Sequence, residues 1–223
     1  MDFQPFQKIA RLSREVVVTE KIDGTNAQIY IETLGVGLHE PQVQNWPFVY
    51  AKETSGGTIF IYAGSRTKWI TPGKNDNAGF AGWVKEHAEE LLELGEGRHF
   101  GEWWGKGIQR GYGLQEKRFS LFNTSMWHSQ WNSQDFTKYS EENKNLYSTK
   151  CTEIPSCYVV PVLGTFIFRE EAVQEIMESL SFGGSFAAPG FMKPEGIVLY
   201  HTAGGYYFKK TIENDASPKS LIK

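Results

Sequence analysis

The residues with the clearest capacity for chemistry run from Glu20 to Thr25 and are followed by Asn26. Lys21 stands two residues before an acid and three before a glycine, where the apolar run Val16–Val18 reaches a turn. A lysine amine attacks phosphorus only when it is deprotonated, a form that apolar surroundings or nearby cations favour. Glycine lets the backbone turn sharply and come close to a phosphate. The run therefore predicts a lysine nucleophile for phosphorus chemistry, provided that partner motifs follow.

Short motifs with side chains suited to nucleotide chemistry do follow, in order along the chain. They are Ser65–Arg66, Phe100–Trp103, Phe119–Phe122, Glu195–Val198 and Phe208–Lys210. The series resembles the covalent nucleotidyltransferase superfamily of ATP-dependent DNA ligases, RNA ligases and mRNA capping enzymes. The Asn26 that trails Lys21 and the spacing from Glu102 to Phe122 are most similar to the phage-type RNA ligases that seal nicks. The resemblance extends from about Val16 to Lys210.

Lys21 is implied by this resemblance to attack the α-phosphorus of ATP, expel pyrophosphate and carry AMP through a phosphoramide bond. Taken alone, it is better explained as a surface lysine at a strand end. The resemblance places Asp23 beside it, where the carboxylate would orient the amine or a metal-bound water. Lys209 and Lys210 would stabilise the charge that builds on the α-phosphate during transfer.

These last two lysines depart from the family pattern. The family has one residue between them, whereas Lys209 and Lys210 are adjacent. Neighbouring side chains of a strand point to opposite faces, so only one of the two can face the phosphate. Lys209 is the first choice and Lys210 the alternative.

The resemblance also implies a set of nucleotide-binding residues. Glu102 would accept hydrogen bonds from a ribose hydroxyl, Arg66 would bind phosphate oxygens, and Phe122 would stack on adenine. For Glu102, the simpler explanation is a salt bridge to Arg98 or Arg110. For Phe122, the simpler explanation is a place in the core. The complete set is Glu20, Lys21, Asn26, Arg66, Glu102, Phe122, Glu195 and Lys209.

Two members of this set have more particular roles in the family. Asn26 matches an asparagine that the nick-sealing ligases use on the 5′-phosphate end, although a polar cap between two strands explains it equally simply. Glu195 matches a carboxylate that holds a divalent cation, Mg²⁺ or Mn²⁺, which neutralises the triphosphate. Asn123 stands where the family usually has an aspartate, which removes a charge that could serve the metal.

Several short β-type runs and two helical stripes must position these residues. The helical stripes are Phe80–Leu94, ended by Gly95, and Val173–Leu180, ended near Gly183. Many short strands with few helices predict an α+β fold of two mainly antiparallel sheets, and the resemblance adds that the sheets form a nucleotide cleft. The β-type runs are Val16–Thr19, Ala27–Glu32, Phe48–Glu53, Thr58–Ala63, His99–Trp104, Arg118–Asn123, Tyr158–Phe166, Gly196–His201 and Tyr206–Ile212.

The bulk composition favours one globular domain over residues 1–223. Ligases usually add an OB-fold or helical domain after the last motif, and we expect none here, so a separate chain could supply the grip on nucleic acid. A net charge of −3 argues against a protein that coats nucleic acid. The chain has neither an apolar run long enough for a bilayer nor a signal peptide, which predicts a cytoplasmic location. The protein is expected to be a monomer. Cys151 and Cys157 are expected to be reduced thiols.

Two polar stretches remain. Residues Arg98 to Arg118 carry five basic side chains and two acids, which is either an ordinary solvated loop or a basic rim beside the nucleotide. Residues His128 to Thr152 are rich in Asn, Ser, Gln and Lys, and this composition is typical of an insertion or a mobile loop.

The motifs together predict an ATP-dependent polynucleotide ligase, and among such enzymes they favour an RNA ligase. It would adenylylate Lys21, pass AMP to a 5′-phosphate, and let a 3′-hydroxyl displace AMP. The alternatives are a DNA ligase, a GTP-dependent capping-type enzyme, and a module that binds a nucleotide or a nucleic-acid end without turnover. The retained Lys21, Glu102 and Glu195 argue against simple binding, since binding alone needs no nucleophile. RNA ends are the expected partner, with DNA ends as an alternative.

Overall fold

The computed structural model describes residues 3–6, 8–35, 45–74, 76–129 and 149–216. It divides into two compact units. The first holds the described residues up to Lys21 and from Pro161 onward, and the second those from Ile22 to Val160. The strands are β1 (Glu15–Lys21), β2 (Thr25–Leu34), β3 (Phe48–Thr54), β4 (Gly57–Ser65), β5 (Trp69–Ile70), β6 (Gly97–Gly105), β7 (Lys117–Leu121), β8 (Tyr158–Val159), β9 (Val162–Ile167), β10 (Gly196–His201) and β11 (Tyr206–Thr211). The helices are α1 (Phe80–Glu86), α2 (Ala88–Leu91) and α3 (Glu170–Gly183), with a 3-10 turn at Leu92–Leu94.

The first unit is built on an antiparallel sheet of four strands in the order β11-β10-β1-β9. Strand β1 alternates strictly, with Val16, Val18 and Glu20 buried on one face. Helix α3 packs against β10 and buries Val173, Met177 and Leu180. Burial on one face and partial exposure on the other are typical of an antiparallel sheet that carries a helix on one side.

The second unit is built on a sheet in the order β3-β4-β2-β6-β7-β8, with β5 paired to β4. Every pair is antiparallel except β7 with β8. One face of β2 buries Ala27, Ile29 and Ile31 in a core that also includes Phe80 and Val84 of α1. The other face of β2 carries polar and aromatic side chains, and the candidate site residues of this unit lie there.

The predicted fold class, α+β with two mainly antiparallel sheets, is confirmed. The runs around Lys21, Glu102 and Glu195 form strands as predicted, because their alternation of apolar and polar residues matches the two faces of a sheet. Both helical stripes are also confirmed, although the first is interrupted at His87 before it ends at Gly95.

One predicted strand is wrong. The run Tyr158–Phe166 is two strands, β8 and β9, that belong to different sheets. Pro161 lies between them and has no amide hydrogen to donate to a ladder. Its carbonyl oxygen instead accepts a hydrogen bond of 2.9 Å from the amide of Glu20.

The cysteines and the polar stretch have different outcomes. Cys151 and Cys157 are free and buried, and burial raises the pKa of the Cys151 thiol to about 11. Residues 130–148 of the stretch from His128 to Thr152 lie outside the described residues, so its interpretation as a mobile insertion stays a prediction.

Candidate active site

Lys21 and Glu195 form an ion pair within the first unit. Lys21 is the last residue of β1 and lies opposite Gly196, the first residue of β10, so Glu195 enters directly beside it. The side chain of Glu195 is 2% exposed and that of Lys21 20% exposed. The β1–β10 register thus joins two motifs that are 174 residues apart in the chain.

Gly196 permits this arrangement. Its φ is 154°, and a Cβ atom built on it would lie 2.2 Å from the carbonyl oxygen of Lys210 on β11. No side chain fits at that distance, because the contact atom belongs to the backbone. A glycine therefore lets β10 and β11 pair closely just after the Glu195 carboxylate.

Glu20 points to the opposite face of β1 from Lys21, since neighbouring strand residues alternate. Its carboxylate is buried and accepts hydrogen bonds from Ser185 Oγ at 2.6 Å, the Phe186 amide at 2.8 Å and the Ala187 amide at 2.9 Å. Burial raises the pKa of Glu20 to about 7, although the three donors act in the other direction. The side chain of Glu20 thus anchors the segment that follows α3.

The β10–β11 register separates the two adjacent lysines. Lys209 lies opposite Val198, which in turn lies opposite Thr19 of β1. Directly paired residues share a face, so Lys209 lies on the Lys21 face of the sheet. Lys210 lies on the other face, where it lines a pocket with Glu178 and Phe182 of α3.

In the second unit, the turn at Asp23 and Gly24 is fixed from two sides. The Gly24 amide donates to Glu102 Oε1 at 3.1 Å, and the Asp23 amide donates to the Tyr112 hydroxyl at 2.8 Å. Arg110 Nε donates to Asp23 Oδ2 at 3.0 Å. The Asp23 carboxylate is therefore held by Arg110, in the half of the motif that follows the nucleophile.

Tyr112 and Arg110 come from the loop between β6 and β7. Gln109 and Tyr112 both have positive φ values, of 45° and 51°. Such left-handed conformations are uncommon outside glycine and persist where surrounding contacts hold them. The Tyr112 ring is 2% exposed and packs edge-on against Trp104 at 5.0 Å, which supplies part of that support.

Asn26, Glu102 and Phe122 lie on one face of the second sheet, the face opposite its core. Asn26 of β2 is the direct partner of Glu102 of β6, so their side chains share a face. The Phe122 amide donates to the Phe100 carbonyl at 3.0 Å, and both rings are partly exposed, at 38% and 46%. Arg66 directly follows Ser65, the partner of Ala27, and is exposed near the same end of β2.

Asn77 secures the residues next to Gly24. Its Oδ1 accepts a hydrogen bond of 3.0 Å from Thr25 Oγ1, and its Nδ2 donates to the Asn26 carbonyl at 3.5 Å. Asn77 and Ala78 both have φ values of 57°. Consecutive left-handed residues are strained, and these two lie next to the first motif, which Asn77 contacts.

Four of the five basic residues in the stretch from Arg98 to Arg118 contact other groups of the protein. Arg110 binds Asp23, Arg118 binds Glu116, and Lys117 Nζ donates to the Ala78 carbonyl at 2.7 Å. Arg98 Nη1 donates to Gln28 Oε1 at 3.1 Å. Glu102 Oε1 accepts the hydrogen bond from the Gly24 amide, and a salt bridge from Glu102 to Arg98 or Arg110 stays an alternative.

Within the described residues, no three His, Cys, Asp or Glu side chains cluster closely enough to hold a metal ion. Asn123 accepts hydrogen bonds through Oδ1 from the Met126 amide at 3.2 Å and from Ser125 Oγ at 2.7 Å, which makes it a local turn residue. Magnesium, however, usually binds proteins through one or two carboxylates together with substrate phosphates. The buried carboxylate of Glu195, which is paired with Lys21, fits that mode.

Comparison with known proteins identifies the family. The family model described as RNA ligase matches residues 14–218 of the 223-residue chain. The chain belongs to the RNA ligase family. The matched region of this RNA ligase family member contains every candidate site residue, from Glu20 to Lys210. No significant match occurs among the curated proteins.

Solved structures of Naegleria gruberi RNA ligase are similar in part to this RNA ligase family member. An arginine-to-alanine mutant with ATP and Mn has 17% identity and a TM-score of 0.49, over 91% of this chain and 51% of that chain. An apo lysine-to-alanine mutant has 19% identity and a TM-score of 0.48, over 89% and 50%. A lysine-to-methionine mutant with AMP and Mn has 16% identity and a TM-score of 0.48, over 90% and 50%. The chain spans about half the length of these ligases.

Sequence reasoning missed three residues that support the first motif of this RNA ligase family member. Tyr112 and Arg110 hold Asp23, and Ser185 holds Glu20. The frequent glycines of the segment Gly105–Gly113 indicate turns, but they do not indicate that a tyrosine hydroxyl accepts a hydrogen bond from a backbone amide 89 residues earlier.

Among the described residues, no helix combines the length and apolar character that a membrane span requires.

Proposed function

We propose that this chain is an ATP-dependent RNA ligase that works through a covalent lysyl-AMP intermediate at Lys21. The observation that carries the proposal is the ion pair between Lys21 and Glu195 at the paired ends of β1 and β10. A lysine fixed beside a buried carboxylate, in a chain of the RNA ligase family, fits a nucleophile for nucleotidyl transfer.

In the first step, Lys21 Nζ forms a bond to the α-phosphorus while the bond from that phosphorus to the bridging oxygen breaks, and pyrophosphate leaves. The Lys21 ammonium, which is hydrogen-bonded to Glu195 Oε2, must lose a proton to solvent before the amine attacks. Lys209, on the same face as Lys21, would stabilise the negative charge on the transferred phosphate. Arginine at position 21 would keep the charge but could not deprotonate.

The second unit would bind the rest of the nucleotide and the RNA end. Glu102 would accept a hydrogen bond from the ribose, Phe122 would stack on adenine, and Arg66 would pair with phosphate oxygens. Asn26 would contact the 5′-phosphate end. After AMP moves to that phosphate, a 3′-hydroxyl attacks the phosphate and AMP leaves, which forms the phosphodiester.

A divalent cation, Mg²⁺ or Mn²⁺, would neutralise the triphosphate charge when bound. Glu195 is the residue that would hold it, since its carboxylate is buried beside the nucleophile. Asp23 would serve the site by fixing the turn after Lys21 through its own bond to Arg110.

We further propose that the two units form a single nucleotidyltransferase domain over residues 1–223. The boundary between the two units falls within the first motif, between Lys21 and Ile22. Free, buried Cys151 and Cys157 are typical of a reducing compartment, which favours the cytoplasm. The protein is proposed to act as a monomer.

The test is incubation with ATP or GTP labelled at the α-phosphate, with magnesium, followed by denaturing electrophoresis. We expect label on the wild-type protein from ATP, and none on Lys21→Ala or Lys21→Arg. Glu195→Gln should reduce labelling strongly, and a chelator should abolish it. Labelling of Lys21→Arg would remove Lys21 as the nucleophile, and preferential labelling from GTP would favour a capping-type enzyme.

A second assay separates RNA from DNA. Nicked duplexes with RNA or DNA on either side of the nick, and with a 5′-phosphate, are incubated with the adenylylated protein. We expect sealing of nicks in RNA to exceed sealing of all-DNA nicks. If the protein forms the lysyl-AMP adduct but transfers AMP to no RNA or DNA end, the result would favour a protein that is adenylylated without acting as a ligase.

A further inference from the structure

Four side chains form a contacting group on the face of the second sheet that carries Asn26 and Glu102. We call it the Arg98 platform, and it consists of Tyr30, Tyr62, Trp69 and Arg98. Ring centroids lie 5.9 Å apart for Tyr30 and Trp69, 5.7 Å for Tyr30 and Tyr62, and 5.4 Å for Tyr62 and Trp69. The Arg98 guanidinium lies 4.5 Å from the Tyr30 ring centre and 5.2 Å from that of Trp69.

The strand register places this platform in line with the candidate site. Asn26 pairs with Glu102, Gln28 with Phe100, and Tyr30 with Arg98, all between β2 and β6. Tyr30 is therefore four residues beyond Asn26 on the same face, a distance of about 13 Å along an extended strand. The partly exposed Phe100 ring lies between the two.

The platform holds its cation in one orientation. Arg98 is exposed, and its Nη1 donates to Gln28 Oε1 at 3.1 Å while its guanidinium carbon lies over the Tyr30 ring. A guanidinium that is held over aromatic rings loses little further freedom when it binds a phosphate or stacks on a base. Such rings and cations next to one another are typical of surfaces that bind single nucleic-acid strands.

The surroundings also limit what can bind. Tyr30 donates to Glu32 Oε2 at 3.0 Å, and Glu96 lies near enough to influence Tyr30 electrostatically. These carboxylates repel a ligand that brings many phosphates close to the surface at once. They do not block a single phosphate that contacts Arg98 directly. The chemistry therefore fits one strand that stacks bases and places a phosphate on Arg98.

We propose that the Arg98 platform binds the RNA strand next to the end that reacts at the nucleotide site. The proposal rests on the proposed function, because it supplies the strand to which AMP is transferred. Stacking and phosphate contacts do not involve the hydrogen-bonding edges of the bases. Binding at the platform should therefore not depend on the RNA sequence.

The test compares Arg98→Ala, Arg98→Lys and the matched control Lys85→Ala, which removes one exposed positive charge on α1 in the same unit. Three quantities are measured for each: formation of the lysyl-AMP adduct, affinity for a nicked RNA duplex by fluorescence anisotropy, and sealing of a pre-adenylylated nick. For Arg98→Ala we expect adduct formation within about twofold of wild type, and RNA affinity and sealing reduced about tenfold. Arg98→Lys should recover part of the affinity but remain weaker, since lysine keeps the charge and loses the plane.

Equal RNA affinity in wild type, Arg98→Ala and Lys85→Ala would overturn the platform. A parallel loss of adduct formation and RNA affinity in Arg98→Ala would also overturn it, since Arg98 would then serve the fold or the nucleotide. Failure of the wild-type protein to form an adduct would instead contradict the proposed function, and it is read in a separate assay that contains no RNA.

Discussion

The Glu102 carboxylate accepts a hydrogen bond of 3.1 Å from the amide of Gly24, three residues after the candidate nucleophile. A strand of the second sheet thereby sets the turn that leaves Lys21. This hydrogen bond fixes the amide of Gly24 relative to strand β6. The motif around Glu102 is thus linked to the motif around Lys21 by this hydrogen bond and by the pairing of Thr25 with Trp103.

Gly24 leaves no room for a side chain. A Cβ atom there would lie 2.5 Å from the Trp103 carbonyl oxygen and 2.7 Å from Trp104 Cβ, and both contacts belong to a buried strand. Gly24→Ala should therefore destabilise the protein by about 1–3 kcal/mol and reduce adduct formation. The matched control is Gly183→Ala at the end of α3, where a Cβ atom would meet nothing within 4 Å. Urea unfolding should show that this control is neutral or stabilised by about 0.5–1 kcal/mol, and an equally unstable control would contradict the steric argument.

The adjacent lysines of β11 offer a matched pair in one strand. Lys209 shares the face of Lys21, whereas Lys210 shares the face of Glu20 and α3. Lys209→Ala should slow adduct formation about a hundredfold, as expected for loss of one charge-stabilising donor. Lys210→Ala should stay within a few-fold of wild type. Single-turnover labelling with ATP measures both rates, and a larger effect at Lys210 would reverse the assignment.

The Tyr112 hydroxyl oxygen accepts a hydrogen bond of 2.8 Å from the buried amide of Asp23. Tyr112→Phe keeps the ring against Trp104 but removes this acceptor, and loss of a buried partner costs about 1–3 kcal/mol. We expect lower stability together with slower adduct formation, since the turn after Lys21 loosens. Tyr50→Phe is the control, because its hydroxyl binds Glu89 at the surface and its loss should cost less than about 0.5 kcal/mol. Equal stability of the two variants would show that the Tyr112 hydroxyl does not hold the turn.

The sequence predicts most of the strands that carry the candidate site residues. It predicts fewer of the hydrogen bonds that hold those residues in place. The strands that carry Lys21, Glu102 and Glu195 are local patterns of alternating residues, so they can be read directly. The bond from Ser185 to Glu20 joins residues 165 positions apart, and the one from Tyr112 to Asp23 depends on the left-handed path of a loop. Such contacts arise from tertiary packing and leave no periodic signal in the chain.

Glu20 should make stability depend on pH. Its pKa is raised from 4.5 to about 7 by burial, so between these values the folded protein keeps a proton that the unfolded chain releases. The free energy of unfolding should therefore fall as pH rises through this window, by about 1 kcal/mol per pH unit from this group. Glu20→Gln removes the titration and can still accept from the Phe186 and Ala187 amides, so its unfolding free energy should fall less between about pH 5 and about pH 7. Glu171→Gln, at an exposed position in the first turn of α3, should keep the wild-type slope. Urea unfolding across the window measures all three proteins, and an unchanged slope in Glu20→Gln would mean that Glu20 is ionised in the folded protein throughout.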